Sequence, residues 1–493
     1  MINRILSLLN LKQKKEFFLL IFLIILSTII EIFSLGVAYN LIKVFINGSL
    51  DNLNTYLLDA LYYLNVIEIN QAIKILTISL LLIYLFKFFY LILFFKKQNY
   101  FVFKLRSSIS DSLLKKYFNQ DYIFFVKKNS SELIRNIKEE VNAFGTGVIN
   151  QLINFFADII LILGIVIFIF YVNVTIASIV VFLFTIILIL YYFFIRSFLY
   201  KLGKERQEIS LKYYKNLNQI LQGIKDIKLY KSEDYYFNIF SNSNNELGNI
   251  SAKAITINQI PKLGIEIFLI ILISTFILNI ENLGFNDRNS LELIGLFALA
   301  SFRLLPAASK ILVSMQLFRL HKASIELLYK EINLNDGIRY SNKNISKLDF
   351  KNKISIKNLN YSYNDESKFE LNNINFEISK NEIVGIIGES GSGKSTFLDI
   401  LVGLLNSNKG EIKIDDKNIK ENLISYQNKF GYISQFSFIL DDSIYNNITF
   451  GKKISNSKDS VYDIIKNVQL RAYVDNLKDG IDTNIGEKGA KIS

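Results

Sequence analysis

Six apolar stretches set what this chain can become: Phe17–Ile46, Ile73–Phe95, Val148–Val172, Val174–Ile195, Ile265–Ile280 and Leu291–Leu312. Each is near or beyond the ~20 residues that cross the hydrocarbon of a bilayer. Lipid offers no partner to a backbone N–H or C=O, so stretches of this kind span as helices. A composition of 51% hydrophobic and 20% charged residues agrees with a membrane protein. The first stretch follows Arg4, Lys12, Lys14 and Lys15, but it is far longer than a signal peptide core and has no small-residue cleavage site. It is therefore expected to stay as the first span.

The connections alternate in charge. Asn47–Gln71 carries Asp51, Asp59 and Glu68 without Lys or Arg, and Tyr171–Val174 and Glu281–Ser290 are nearly free of cations. Lys96–Gly147 and Arg196–Lys262 are long and Lys/Arg-rich, which places them in the cytoplasm. The net charge of +12 then reads as basic flanks of spans, not as a nucleic-acid surface. Zero cysteines exclude disulfides and thiolate metal sites, and the lone His321 offers no metal cluster.

Helical periodicity continues into the inner connections, so Lys96–Asn119 alone should project roughly 35 Å into the cytoplasm. Two breaks interrupt these arms. Asn119–Ser131, with Tyr122, Phe124 and Phe125, and Gly223–Tyr235, with Ile224, Ile227, Leu229 and Tyr230, suit short docking helices or ordinary helix–helix turns. On the outer side Leu53, Tyr56, Leu57, Leu61 and Leu64 recur at helical spacing, as a helix lying on the membrane or packed against the spans.

Ionisable residues at membrane depth cost at least ~2.5 kcal/mol each, so they mark an aqueous interior or a partner. Lys87 interrupts the second span, Lys262 follows Pro261 at the entry to the fifth, and Arg303 precedes Pro306 in the sixth. These are the chain's 2 prolines, and a proline bends a membrane helix and frees a carbonyl. A kinked, basic substrate cavity formed by Lys87, Lys262 and Arg303 is expected. The competing reading pairs these cations with Glu31, Asp158 and Glu266.

Past residue 330 the sequence turns polar, giving a membrane domain 1–330, a linker 331–352 and a soluble domain 353–493. Strands are expected at Ile354–Leu359, Ile374–Ile378, Glu382–Ile387, Glu411–Asp415 and Phe430–Ser434, with a helix over Ser395–Leu405. Between the third strand and that helix lies Gly388-Glu389-Ser390-Gly391-Ser392-Gly393-Lys394-Ser395, which fits G-x-x-x-x-G-K-[ST] at every fixed position. Such glycines let backbone N–H groups wrap phosphate oxygens at a helix start. Lys394 would reach the β- and γ-phosphates, Ser395 would hold Mg²⁺, and Thr396 closes the ATP-binding set. Between the first two strands lies Tyr361-Ser-Tyr363, where an aromatic could stack on an adenine face, with packing as the competing use of Tyr361. The expected fold is thus an α-helical membrane domain of six spans with long cytoplasmic extensions, followed by an α/β P-loop NTPase domain.

These motifs in this order resemble the exporter-type half-transporters of the ABC family. The resemblance implies that Tyr363 stacks on adenine, that Gln435 in Gly431-Tyr-Ile-Ser-Gln-Phe touches Mg²⁺ and the attacking water, and that Glu487 in Thr483–Gly489 cross-links to the opposite membrane half. It also implies ATP and Mg²⁺ as cofactors, a second half-transporter as partner, most simply a second copy, and residence in the bacterial inner membrane with the ATP domain inside. The family's signature Leu-Ser-Gly-Gly-Gln should follow Glu487, but the sequence reads Ala490-Lys-Ile-Ser493 and stops. A chain incomplete at its C terminus, binding ATP weakly and not hydrolysing it, is the expectation.

Within the family, Lys128-Asn-Ser-Ser-Glu-Leu, Ile260-Pro-Lys and Phe302-Arg-Leu-Leu-Pro-Ala-Ala-Ser are similar to bacterial lipid-linked oligosaccharide flippases of protein N-glycosylation. That likeness implies a lipid pyrophosphate oligosaccharide as cargo, held by Lys87, Lys262 and Arg303. Lysine at two of these positions keeps charge without the bidentate fork of arginine. Export of another lipid, a drug or a peptide, and a non-transporting membrane sensor with a degenerate ATPase domain, remain as alternatives.

Overall fold

The computed structural model describes residues 2–50, 53, 55–64, 66, 68–172, 174–278, 287–337, 348–363, 370–435, 437–452 and 457–491, with side chains only in part along 54–60, 175–197, 268–278 and 287–297. Asp51, the start of the Glu281–Ser290 connection, Ser341, Asn342 and Ser493 lie outside the described residues. The chain divides into two compact units, Met1–Arg339 and Tyr340–Ser493.

The first unit is helical throughout. A short α1 (Ile2–Ser7) leads into α2 (Leu11–Asn47), whose start is held by a reciprocal cap between Asn10 and Gln13. Its end is set by Gly48, which turns left-handed at φ 64° and returns its N–H to Val44 O at 3.1 Å. Helix α2 buries Phe17, Leu20, Ile24, Thr28, Glu31 and Leu35 at helical spacing while Phe18, Phe22, Ile29 and Phe33 stay exposed. An apolar face left outward is what a lipid-facing helix needs. α3 (Thr55–Tyr63) follows, then α4 (Ile69–Phe118), whose 50 residues reach about 75 Å. On α3, Leu61 is buried with Leu53 against Val44, Ala72 and Leu76, while Tyr62, Tyr63 and Leu64 are exposed. α3 therefore packs one face on α2 and α4 and turns the other away.

Both breaks in the inner arms are short helices: α5 (Tyr122–Lys127), between α4 and α6 (Ser130–Arg135), and α10 (Ile224–Leu229), between α9 (Val174–Gln222) and α11 (Glu233–Leu278). From α6 the chain runs through a π turn at Asn136–Glu140, α7 (Val141–Phe144) and a second π turn at Gly145–Ile149 into α8 (Asn150–Val172). A π turn adds a residue to the helical circuit. Here it coincides with close approaches: a Cβ on Gly145 would meet Arg106 Cγ at 2.3 Å, and one on Gly147 would meet His321 Cδ2 at 2.3 Å. α12 (Asp287–Leu320) and α13 (Lys322–Ile332) complete the unit. The main core joins the starts of α1 and α2 to α4, α7, α8 and α13 through Phe17, Phe101, Leu105, Phe144, Ile153 and Leu328.

Among the described residues four helices are long and apolar enough to cross a membrane: Leu11–Asn47, Ile69–Phe118, Ser130–Val172 and Ala298–Leu320. The expected fourth and fifth spans fall on α9 and on α11, whose apolar parts are described only partly. Pro261 and Pro306 lie inside α11 and α12 as expected. The carbonyl that Pro261 frees, Ile257 O, accepts a hydrogen bond from Gln316 Nε2 of α12 at 3.1 Å. A neighbouring helix thus supplies the partner that the bend removed.

α13 continues to Ile332, and the next residues pack back on α4: Asp336 meets Lys116 Nζ at 2.8 Å and Gly337 N–H donates to Asn119 O at 3.0 Å.

The second unit holds an antiparallel sheet in the order β2-β1-β3-β4, from β1 (Lys353–Ser362), β2 (Glu370–Ser379), β3 (Lys409–Ile414) and β4 (Lys417–Asn418). Ile354, Ile356, Leu359, Ile412 and Ile414 are buried in it, as are Phe397, Ile400 and Leu401 of α14 (Lys394–Leu401). Two expected strands are absent from the ladder. Glu382–Ile387 and Phe430–Ser434 form no strand, and Ile383, Ile387 and Ile433 are 99%, 96% and 90% exposed. Their β-branched composition states a preference, but a strand exists only where a neighbour completes its hydrogen bonds, and no described strand pairs with either.

Candidate nucleotide and cargo sites

The phosphate loop runs from Gly388 into α14. Gly391 and Gly393 take φ of +83° and +94°, a region that side chains rarely enter, and Gly393 caps the helix. At Gly388 the limit is space, since a Cβ would lie 2.8 Å from Ser392 Oγ. Lys394 folds across the loop and donates from Nζ to Gly388 O and Glu389 O, each at 2.7 Å. Among the described residues its hydrogen-bond partners are these two carbonyls, poised to be exchanged for phosphate oxygens. Glu389, Ser390 and Ser395 are exposed beside it.

Thr396 is buried one residue further, and its Oγ1 lies 3.1 Å from the Tyr363 hydroxyl. That bond ties Tyr363 to the first turn of α14. Tyr361 meets the Tyr363 ring edge-on at 5.1 Å and is buried in the sheet core. Burial, with Tyr363 and Asp399 nearby, pushes the Tyr361 hydroxyl up to about 12, so it stays neutral. Gln435 is exposed at a bend, and Glu487 is exposed at the start of a short 3₁₀ turn.

In the membrane unit Lys87 and Arg303 come together on one carboxylate. Lys87 Nζ pairs with Glu31 Oε2, and Arg303 Nε lies 2.6 Å from Glu31 Oε1. Tyr84, one turn before Lys87, accepts from Arg303 Nη2 at 2.9 Å, and the Lys87 ammonium sits 5.2 Å from the centre of its ring. Sequence reading missed Tyr84, although its i,i+3 spacing to Lys87 was visible. Lys262 is apart from this group, its side chain 70% exposed on α11 and 3.9 Å from Glu266 one turn on. Asp158 is buried on α8 with Oδ2 lacking a hydrogen-bond partner and, among the described residues, pairs with none of the three cations.

Comparison with known proteins agrees with both halves. The model of the ABC transporter transmembrane region matches residues 17–280, more than half the chain, and that of the ABC transporter matches residues 371–492. The chain belongs to the ABC transporter family. It is a multi-pass membrane protein joined to an ABC ATPase domain. This ABC transporter chain is 26% identical over 286 residues to a Francisella novicida protein described as an ATP-dependent lipid A-core flippase, covering 56% of this chain and 47% of that protein. A Coxiella burnetii protein of the same description is 36% identical over 141 residues, 28% of this chain and 24% of its own length. A Buchnera aphidicola multidrug resistance-like ATP-binding protein is 38% identical over 144 residues, 29% of this chain and 24% of the relative. The matched stretches thus span less than half of these curated relatives. Among solved structures, a bacterial Atm1-family ABC exporter with ATP bound aligns with a TM-score of 0.76 over 98% of this chain and 81% of that one, at 16% identity. That likeness establishes the fold.

Proposed function

We propose that this chain is the half-transporter of an ATP-driven ABC exporter or flippase that moves a lipid-linked cargo with an anionic, pyrophosphate-type headgroup across the bacterial inner membrane. The observation that carries the cargo class is the pairing of two cations with a single carboxylate inside the membrane unit. An unbalanced positive charge at that depth suits an anionic headgroup and opposes a cationic drug. Relatives described as lipid A-core flippases support a lipid cargo, and the oligosaccharide-flippase likeness narrows it to lipid pyrophosphates.

In this reading the Gly388–Gly393 amides and Lys394 hold the phosphates, and Tyr363 stacks on adenine. Ser395 and Gln435 hold Mg²⁺, which would neutralise charge developing on the transferred phosphoryl group. The loop fits that cluster, since its lysine already bridges carbonyls with no side-chain acceptor. Two half-transporters, as a homodimer, form the working unit, with α5 and α10 as the docking helices and Glu487 as the cross-link.

The test is the protein expressed from its gene and reconstituted with its lipid. Lys394→Ala should weaken binding of a fluorescent ATP analogue by about 10²-fold or more and abolish ATP-driven movement of a fluorescent lipid pyrophosphate oligosaccharide, because the phosphates lose a charge-assisted partner. Wild-type movement in the mutant would overturn the nucleotide site. Tight ATP binding with no lipid movement by the unaltered protein would leave the sensor reading standing.

A further inference from the structure

We infer that Glu31 is an internal counter-ion that occupies Lys87 and Arg303 in place of a cargo phosphate, and that a phosphate-bearing lipid headgroup binds by displacing this carboxylate from the two cations. The inference rests on the chain being a carrier of anionic amphipaths. Its basis is the geometry of the group. Glu31 comes from α2, Lys87 and Tyr84 from α4, and Arg303 from α12, so one carboxylate holds three helices together. The Glu31 and Lys87 side chains are 5% and 10% exposed, whereas Arg303 keeps 34%. The buried pair is neutral, and the surplus cation is the accessible one.

The Arg303 contact is also the replaceable one. Arginine–carboxylate pairs are frequently bidentate, with two parallel hydrogen bonds. Here Nε stands 2.6 Å from Glu31 Oε1, yet that oxygen accepts no directed hydrogen bond. Nη2 is spent on the Tyr84 hydroxyl. Attraction without alignment leaves the guanidinium free to turn its fork to a better-shaped acceptor, and a phosphate presents one. A purely structural bridge needs one cation per carboxylate, and a second, half-buried cation adds a desolvation cost with no gain in neutrality.

The experiment measures binding without nucleotide, using fluorescent short-chain phosphatidic acid, phosphatidylcholine of the same chain length, and inorganic pyrophosphate. In Glu31→Gln the competing charge is gone, so phosphatidic acid should bind about tenfold more tightly than to wild type, with phosphatidylcholine unchanged. Unchanged or weaker phosphatidic acid binding by a folded Glu31→Gln protein overturns the proposal. If that variant does not fold, Arg303→Gln, which leaves the neutral Glu31–Lys87 pair in place, is read instead. Phosphatidic acid binding about tenfold weaker than to wild type, with phosphatidylcholine unchanged, supports the proposal, and phosphatidic acid binding within about twofold of wild type overturns it. Equal competition by inorganic pyrophosphate would overturn the lipid part, because the site would then recognise phosphate regardless of its tail. Tighter lipid binding in a protein that moves no lipid would sink the transport reading and keep this one. Unaltered binding in a protein that does move lipid would do the reverse.

Discussion

Lys394 and Lys87 are the same side chain set in opposite surroundings. The Lys394 ammonium rests on two backbone carbonyls of its own loop, a partnership that a phosphate outcompetes. Lys87 rests on the buried carboxylate of Glu31, which Arg303 shares, and removing Glu31 without supplying another anion leaves a buried charge at a cost of about 3–5 kcal/mol. His321, the single histidine, shows a third case, since it stands one residue beyond α12 with Nδ1 shut off from solvent and without a partner. Burial, reinforced by the Arg206 charge, pushes it from 6.5 down to about 3. Between those values the unfolded chain takes up a proton that the folded chain refuses, so this residue's contribution to stability is full above 6.5 and is lost as pH falls. The melting temperature in detergent should therefore drop between about pH 7.5 and about pH 5.5, and drop less in His321→Gln. Parallel pH profiles for the two proteins would refute the assignment.

At the scale of elements, the long helical arms are held by close backbone approach as much as by apolar packing. α9 passes α12 at Gly203, where a Cβ would lie 2.0 Å from Leu320 O. Backbone cannot move aside as a flexible side chain does, so Gly203→Val should destabilise the protein by about 1–3 kcal/mol or more through overpacking. Gly248 on α11 has nothing within 4 Å, and Gly248→Ala should be neutral or stabilising by up to about 1 kcal/mol through helix propensity. Thermal unfolding of the pair checks this, and similar losses in both would show that the α9–α12 approach is not what matters. Nearby, Arg206 Nη2 reaches Glu140 Oε2 at 3.4 Å and Ser324 Oγ at 3.2 Å, joining the first π turn to α9 and α13. Apolar periodicity announced these helices, but nothing in it announces a π turn, which forms where contacts outside the helix outweigh its regular bonds.

For the whole molecule, charge asymmetry between connections predicts which side each faces. A chain with zero cysteines allows a direct check with single introduced thiols and an impermeant maleimide in intact cells. Asp51→Cys and Asp287→Cys should label from outside, and Lys127→Cys only after the membrane is opened. Any reversal would break the six-span arrangement. The same reasoning explains why the apolar surface of α2 and α4 is not a defect, since Phe22, Phe33, Phe86 and Phe89 are exposed where lipid is the solvent.

By itself the sequence determined the membrane helices, because apolar length is a local property that lipid reads directly, and the phosphate loop, because glycine spacing and a following helix are also local. It named Lys87 and Arg303 and listed Glu31 as a candidate partner. Only the tertiary structure decided that one carboxylate serves both cations, that Lys262 stands apart, and that Gln316 answers the carbonyl freed by Pro261. It likewise decided that β-branched Glu382–Ile387 forms no strand. Each of these depends on which distant segment lies alongside, and a residue's own preferences carry no record of that neighbour.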